Sequence, residues 1–151
     1  MTHEHQNLIH ELNRLQRRLY ESFREFNTTQ DNLDDEHLID YFYQQARQRK
    51  GYYEAIRHRI TELGVIPKNV TRPFGDAADE IFTDLKGIFS SEDDKLILQE
   101  AKLVELRLVE AYDQVLEVQN VSDELHQLLV DQREEVKRDL AEIDRQLTAH
   151  S

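Results

Sequence analysis

Glycine and proline are scarce in this chain, and where they fall limits what it can become. Among 151 residues there are four glycines and two prolines, and both prolines with two of the glycines lie between Val65 and Ser91. An all-β chain needs a turn signal roughly every ten residues. The chain therefore reads as helical, with one long connection interrupting otherwise continuous helices. Gly64 is placed as the left-handed residue just past a helix end, with Pro67 beyond it. Gly51 falls inside a long helix. It costs about 1 kcal/mol there against alanine and suggests close approach of another backbone, for which the long connection is the candidate.

Apolar residues at steps of three and four mark the helices. Over 3–27 the stripe is Leu8, Leu12, Leu15, Leu19, Phe23 and Phe26, ended by polar Asn27 to Asn32. Over 34–63, with Asp34 or Asp35 as cap, it is Leu38 or Ile39, Phe42, Ala46, Arg49, Tyr53, Ile56, Ile60 and Leu63. Inside the connection, Phe74, Ala77, Ala78, Ile81, Phe82, Leu85 and Phe89 predict a short amphipathic helix over 73–89. Ser90-Ser91-Glu92-Asp93-Asp94 then signals a serine-capped start. The next helix, 92–118, carries Leu98, Ala101, Glu105, Leu108, Tyr112 and Val115. The last, 122–148, is capped by Ser122 and carries Leu125, Leu129, Gln132, Val136, Leu140, Ile143 and Leu147. Residues after Leu147 are expected to fray.

Short loops join the first helix to the second and the third long helix to the fourth, which makes two antiparallel hairpins. A helix of about 30 residues spans roughly 45 Å, and the connection is long enough to return the chain over that distance. The second and third long helices then run parallel. Two hairpins with one long crossover define an all-α, ferritin-like four-helix bundle with a short fifth helix, in a single domain over 1–151.

Two stripes contain a charge. Arg49 lies near the middle of its helix and Glu105 at the middle of its own, so in parallel helices they share a height, with Gln132 within about one turn. An isolated buried charge costs several kcal/mol, whereas an arginine fork on a carboxylate offsets much of that cost. The spacing predicts an Arg49–Glu105 ion pair within a structural polar layer of Arg49, Glu105 and Gln132. Of all the charges, these two alone fall squarely on the stripes.

A dimetal site in such a bundle needs a glutamate from each of two helices and Glu-x-x-His from each of the others. The motif does not occur in the second or fourth long helix. Glu54-x-x-Arg57 and Glu135-x-x-Arg138 come nearest, and a permanent cation has no lone pair to donate. Glu21 lies off the buried face and Glu11 at its edge. The spacings Glu54/His58, Asp34/His37 and Asp123/His126 read as helix-surface contacts or caps, and His3, Glu4 and His5 as solvated groups. No phosphate loop, nucleophile elbow or His-Glu-x-x-His is present. Tyr41, Tyr43 and Tyr52 are expected to cover the crossover or a subunit contact, and Tyr53 to be core. A groove between Phe74, Phe82, Phe89 and these tyrosines is a further candidate for ligand or partner binding.

The net charge of −12 opposes phosphate backbones and anionic membranes, which argues against nucleic-acid and membrane partners. With no cysteine there is neither a disulfide framework nor a thiolate site. A cytoplasmic protein without a cofactor is expected, self-associating and most simply a dimer.

The chain resembles a family of uncharacterised bacterial four-helix-bundle proteins, a domain of unknown function with a ferritin-like, rubrerythrin-related fold. The resemblance spans about Leu8 to Ile143. It rests on Leu8-Ile9 with Leu12, on Ala46, Arg49 and Leu63-Gly64 with Pro67, and on Asp84-Leu85-Lys86. It continues through Glu100, Glu105, Ala111 and Tyr112 to Gln132, Glu135 and Val136. Members of that family often carry a histidine in the second half of the last helix, where this chain has Asp139-Leu140. The resemblance implies a fold and no activity. The resulting expectation is a non-enzymatic structural or interaction module whose polar layer replaces a metal centre. The alternative is a ferritin-like dimetal-carboxylate oxidoreductase or iron-binding protein with atypical ligands, Glu105 among them.

Overall fold

Residues 2–70 and 93–150 are described by the computed structural model of the chain. They form four helices: α1 (His3–Thr29), α2 (Glu36–Glu62), α3 (Asp94–Leu116) and α4 (Asp123–Ala149), with a 3-10 turn at Gln30–Asn32. No strand occurs among the described residues. The amphipathic segment 73–89, its three phenylalanines and the serines at 90 and 91 lie outside them.

Each helix starts where a side chain satisfies orphan amides. Thr2 caps α1 through His5 N (3.1 Å), and Ser122 caps α4 through Leu125 N (3.2 Å). Asp35, one of the two expected caps, accepts from His37 N (2.8 Å) and Leu38 N (3.4 Å) at α2. At α3 the cap is Asp93, which accepts from Lys95 N (2.9 Å), so the helix begins two residues later than expected from a serine cap. Gly64, at φ +88°, ends the α2 region as its spacing predicts. His150 does not fray freely: its Nδ1 lies 2.8 Å from Gln146 O and its Nε2 3.3 Å from Asp35 Oδ2.

The pairings between helices fix their directions. Ser22 meets both Arg49 of α2 and Glu105 of α3, while Arg14 meets Gln114 near the far end of α3. Tyr112 bonds Gln132 of α4, and Lys102 pairs with Asp144. Positions ascending α1 thus meet positions descending α2 and α3, and α4 descends against α3. Consequently α2 and α3 run parallel, as the single crossover requires. Helix α1 packs against α2 and α3, and α3 against α4, while α2 and α4 meet through Arg49 and Tyr41 at Asp139. The crossover leaves over α1. Asn13 Oδ1 accepts from Lys68 N (3.1 Å), and Gln16 Nε2 and Arg57 Nη1 donate to Lys68 O (3.1 and 3.0 Å).

A 3-4 alternation of buried positions runs the length of α1 and α4, with Asn13, Gln16 and Glu25 buried beside it in α1. In α1 the series is Leu8, Leu12, Leu15, Leu19, Ser22, Phe26 and Thr29; in α4 it is Leu125, Leu129, Gln132, Val136, Asp139 and Ile143. A 3.5-residue period is the signature of helices that wind gently round one another. Two expected core residues are displaced by it. Ser22 is buried where Phe23 was expected, and Asp139 where Leu140 was expected, each apolar neighbour being left half-buried. Tyr53 is half-buried rather than core, with Arg57 over its ring and Tyr20 beside it. Gly51 is exposed, and nothing among the described residues comes within 4 Å of a Cβ built on it, so the expected close approach is not found there.

Two apolar clusters fill the bundle. One gathers Leu8 to Leu19, Ile56, Ile60, Leu108 to Val115, Leu125, Leu129 and Val136. The other gathers Phe26, Leu38, Phe42, Ala46, Ile97, Leu98, Ala101 and Ile143, with Phe26 and Phe42 edge to face at 4.9 Å. Ser22, Arg49, Glu105 and Asp139 fall between them.

Candidate functional site

Arg49 is fully buried, at a height where each of the four helices contributes a polar group. Its Nη2 donates to Glu105 Oε2 at 2.7 Å and to Asp139 Oδ2 at 2.9 Å. Its Nε donates to Glu105 Oε2 at 3.2 Å and to Ser22 Oγ at 3.1 Å. Ser22 in turn donates its hydroxyl proton to Glu105 Oε1, and Nη1 of Arg49 donates to Gln48. The guanidinium carbon also lies 5.7 Å from the Phe26 ring centroid and 6.0 Å from that of Tyr52, within cation–π range.

The charges are matched unevenly. One guanidinium faces two carboxylates, and Glu105 holds the larger share of it. Asp139, with one bond to Arg49, has its carboxyl pushed above the usual range by burial, an effect Arg49 only partly counters. The Arg49 guanidinium is held well above its ordinary value by Glu105 and Asp139, which outweigh its burial. Tyr41 reaches the same place from α2. Its hydroxyl donates to Asp139 O at 3.3 Å, and burial and the Asp139 charge raise its phenol far above the normal range.

Arg49 and Glu105 are thus in direct contact, but Gln132 is not with them. Its Oε1 accepts from the Tyr112 hydroxyl at 2.7 Å, in a second, neutral layer about two helical turns away along α3. Asp139, one heptad after Gln132, takes the place in the charged layer. Nor are Arg49 and Glu105 the only buried charges, since Glu25, Asp94, Glu100 and Asp139 are also below a tenth exposed. The Asp94 carboxylate accepts from the backbone amides of Asp34 (2.9 Å) and Asp35 (3.0 Å), so it caps the α1–α2 connection from α3 rather than facing solvent. His58 leans toward Glu62 (3.6 Å) instead of Glu54.

Four antiparallel and parallel helices in this order, with one crossover, make a ferritin-like four-helix bundle. Its solved relatives include a crystal structure of a ferritin-like, diiron-carboxylate protein from Bacillus anthracis str. Ames. That structure is 20% identical, covers 97% of this chain and 99% of its own, and superposes with a TM-score of 0.79. The chain belongs to the family described as a domain of unknown function, DUF2383, whose model matches residues 7–118. No relative is found among curated proteins.

The fold raises the question of whether the Arg49 layer could hold a dimetal centre. A carboxylate bundle supplies four glutamates and two histidines facing inward. Here α1 presents a serine, α2 an arginine, α3 a glutamate and α4 an aspartate. A guanidinium never loses its proton in a protein and repels a cation, so this donor set does not fit the metals. Among the described residues, no group of three His, Asp or Glu side chains is arranged to hold a metal ion. No described helix is long and apolar enough to cross a membrane.

Proposed function

We propose that this chain is a non-enzymatic structural or interaction module, in which the Arg49 ion-pair layer occupies the bundle centre in place of a metal site. The observation that carries this reading is the fully buried guanidinium held at 2.7 Å by Glu105 and 2.9 Å by Asp139. Its positive charge satisfies inward-facing carboxylates that would otherwise need a metal or protons. An ion pair with partners from three further helices also selects one register, because a shift of one residue along any helix removes a partner from the cation. Self-association belongs to the same reading. Leu103 and Leu106 on α3 and Tyr43 on α2 stay exposed, and light scattering at high micromolar concentration tests it, a monomer being the contrary result.

A second reading is supported by the diiron-carboxylate relative and by the two inward carboxylates, Glu105 and Asp139. It makes the chain a dimetal-carboxylate oxidoreductase or iron-binding protein with atypical ligands. Protein purified without chelator or affinity tag, then given Fe(II) in air, separates the two. The structural reading expects no stoichiometric iron and no ferroxidase absorbance change. Stoichiometric iron lost on Glu105→Gln would establish the second.

A further inference from the structure

At the end of the bundle where α3 begins, a few polar groups tie the helices to the α1–α2 connection. The Asp94 carboxylate of α3 accepts from the amides of Asp34 (2.9 Å) and Asp35 (3.0 Å) in that connection. Asp35 divides its own carboxylate between two tasks. Its Oδ1 accepts from His37 N and Leu38 N and caps α2, while its Oδ2 lies 3.3 Å from Nε2 of His150, the residue that closes α4. The His150 side chain is 22% accessible and that of Asp35 32%, so their contact is partly shielded from solvent screening.

His150 has an oxygen acceptor on each side of its ring. Nδ1 lies 2.8 Å from the Gln146 carbonyl, which also accepts the His150 backbone amide at 3.0 Å. A carbonyl can only accept, so Nδ1 carries a proton in this arrangement. A neutral imidazole has a single N–H, and with that one spent on Gln146 the Nε2 lone pair would face the Asp35 carboxylate. Only the imidazolium, with a proton on each nitrogen, satisfies both oxygens together. Histidine is the side chain whose charge ordinarily changes near pH 6.5. The titratable groups around the contact are Asp35, His37 beside it on α2, and Asp34 and Asp94 across the connection. On α4 itself, Asp144 is already paired with Lys102 at 2.8 Å.

We propose that His150 is a proton-operated latch: as an imidazolium it pins the last turn of α4 to Asp35 at the head of α2, and on losing its proton it releases that turn. Asp35 stays ionised throughout, its carboxyl being held below its ordinary value, chiefly by the His37 amide and against the effect of burial. Because Asp35 caps α2 and its own amide is held by Asp94, the latch joins the last helix to the starts of the second and third. Below about pH 6.5 this end is therefore closed by all of these contacts. Above it, α4 is held there by Ile143, Leu147 and the Lys102–Asp144 pair. His150 lies roughly 16 Å beyond Asp139 along α4, so the latch is separate from the Arg49 layer and holds whichever reading of that layer is correct.

Amide hydrogen exchange of the full chain tests the latch, read by NMR at about pH 5.5 and about pH 8 and corrected for the intrinsic pH dependence of exchange. From the lower pH to the higher, protection at Thr148, Ala149 and His150 is expected to fall about threefold more than at Leu129 and Val136 in mid-helix, the scale of a partly exposed ion pair. His150→Ala and Asp35→Asn should each show the weaker protection at both pH values. Asparagine at 35 still caps α2, so helix content is unchanged in that variant. His37→Gln removes the other nearby imidazole, leaves the latch in place and should behave as the parent chain. A fall at the last turn no larger than in mid-helix, a fall that persists in either latch variant, or one abolished by His37→Gln would each overturn the proposal.

Discussion

Two polar layers interrupt the same core about two turns apart along α3, and they differ in what they join. The Tyr112–Gln132 layer is neutral and links only α3 to α4. The Arg49 layer is ionic and draws Ser22, Glu105 and Asp139 from the three other helices onto one group. A neutral pair stabilises by about 1 kcal/mol and leaves one unsatisfied atom when broken. A buried ion contributes little net stability when paired, yet costs several kcal/mol when its partner is taken away. The charged layer is therefore the one whose disruption should be felt by the whole bundle.

The largest effect should come from Arg49→Met. It leaves Glu105 and Asp139 facing each other without a cation, and urea unfolding at neutral pH should show a loss of about 3–5 kcal/mol. Two such carboxylates favour sharing a proton, so the deficit should narrow as the pH is lowered. Glu105→Gln should cost about 3 kcal/mol, because the cation keeps Asp139 alone as counter-ion. If Gln132→Leu cost as much, the distinction between the layers would fail; its expected cost is about 1–2 kcal/mol, for the stranded Tyr112 hydroxyl.

Asp139→Asn should have the smallest effect, within about 1 kcal/mol at neutral pH. The direction of its titration says why. The folded-state value is raised, so as the pH climbs from the usual carboxylate range to that raised value, the unfolded chain ionises first. Asp139 accordingly gives up stability through that window and helps the fold below it. Asp35 at the α2 cap behaves oppositely. Its value is lowered chiefly by the His37 amide, so its contribution is present above the ordinary carboxylate value and fades as the pH falls through the lowered one. Replacing Asp139 by Asn should remove its share of the acid-side gain, seen by comparing unfolding midpoints at neutral pH and below the ordinary carboxylate value.

How much of this was legible in the residues depended on whether a polar group stood alone on its stripe. Arg49 did, between polar Gln48 and Lys50, and Glu105 fell on the step from Ala101 to Leu108 although Val104 and Leu106 flank it. Ser22 is followed by Phe23 and Asp139 by Leu140, and a 3.6-residue reading steps onto the apolar neighbour. The 3.5-residue period of a supercoiled bundle holds to Ser22 and Asp139 instead. Following the 3-4 alternation through both helices would have found them. Gln132 was placed on the right face, but its partner depended on how far α4 slides along α3, which the spacing within one helix does not determine. Asp94 looked like one more first-turn acid because its partners, the Asp34 and Asp35 amides, come from a distant loop. The four-helix topology was easier to read, since it needed only two short loops and one long crossover.

The central claim is that Arg49 and Glu105 act as one buried unit at the middle of the bundle. A double-mutant cycle of Arg49→Met and Glu105→Gln, measured by urea unfolding at neutral pH, tests it most directly. The account predicts a strongly non-additive cycle, with the double variant at least about 2 kcal/mol more stable than the sum of the single losses implies. Additive losses would contradict it.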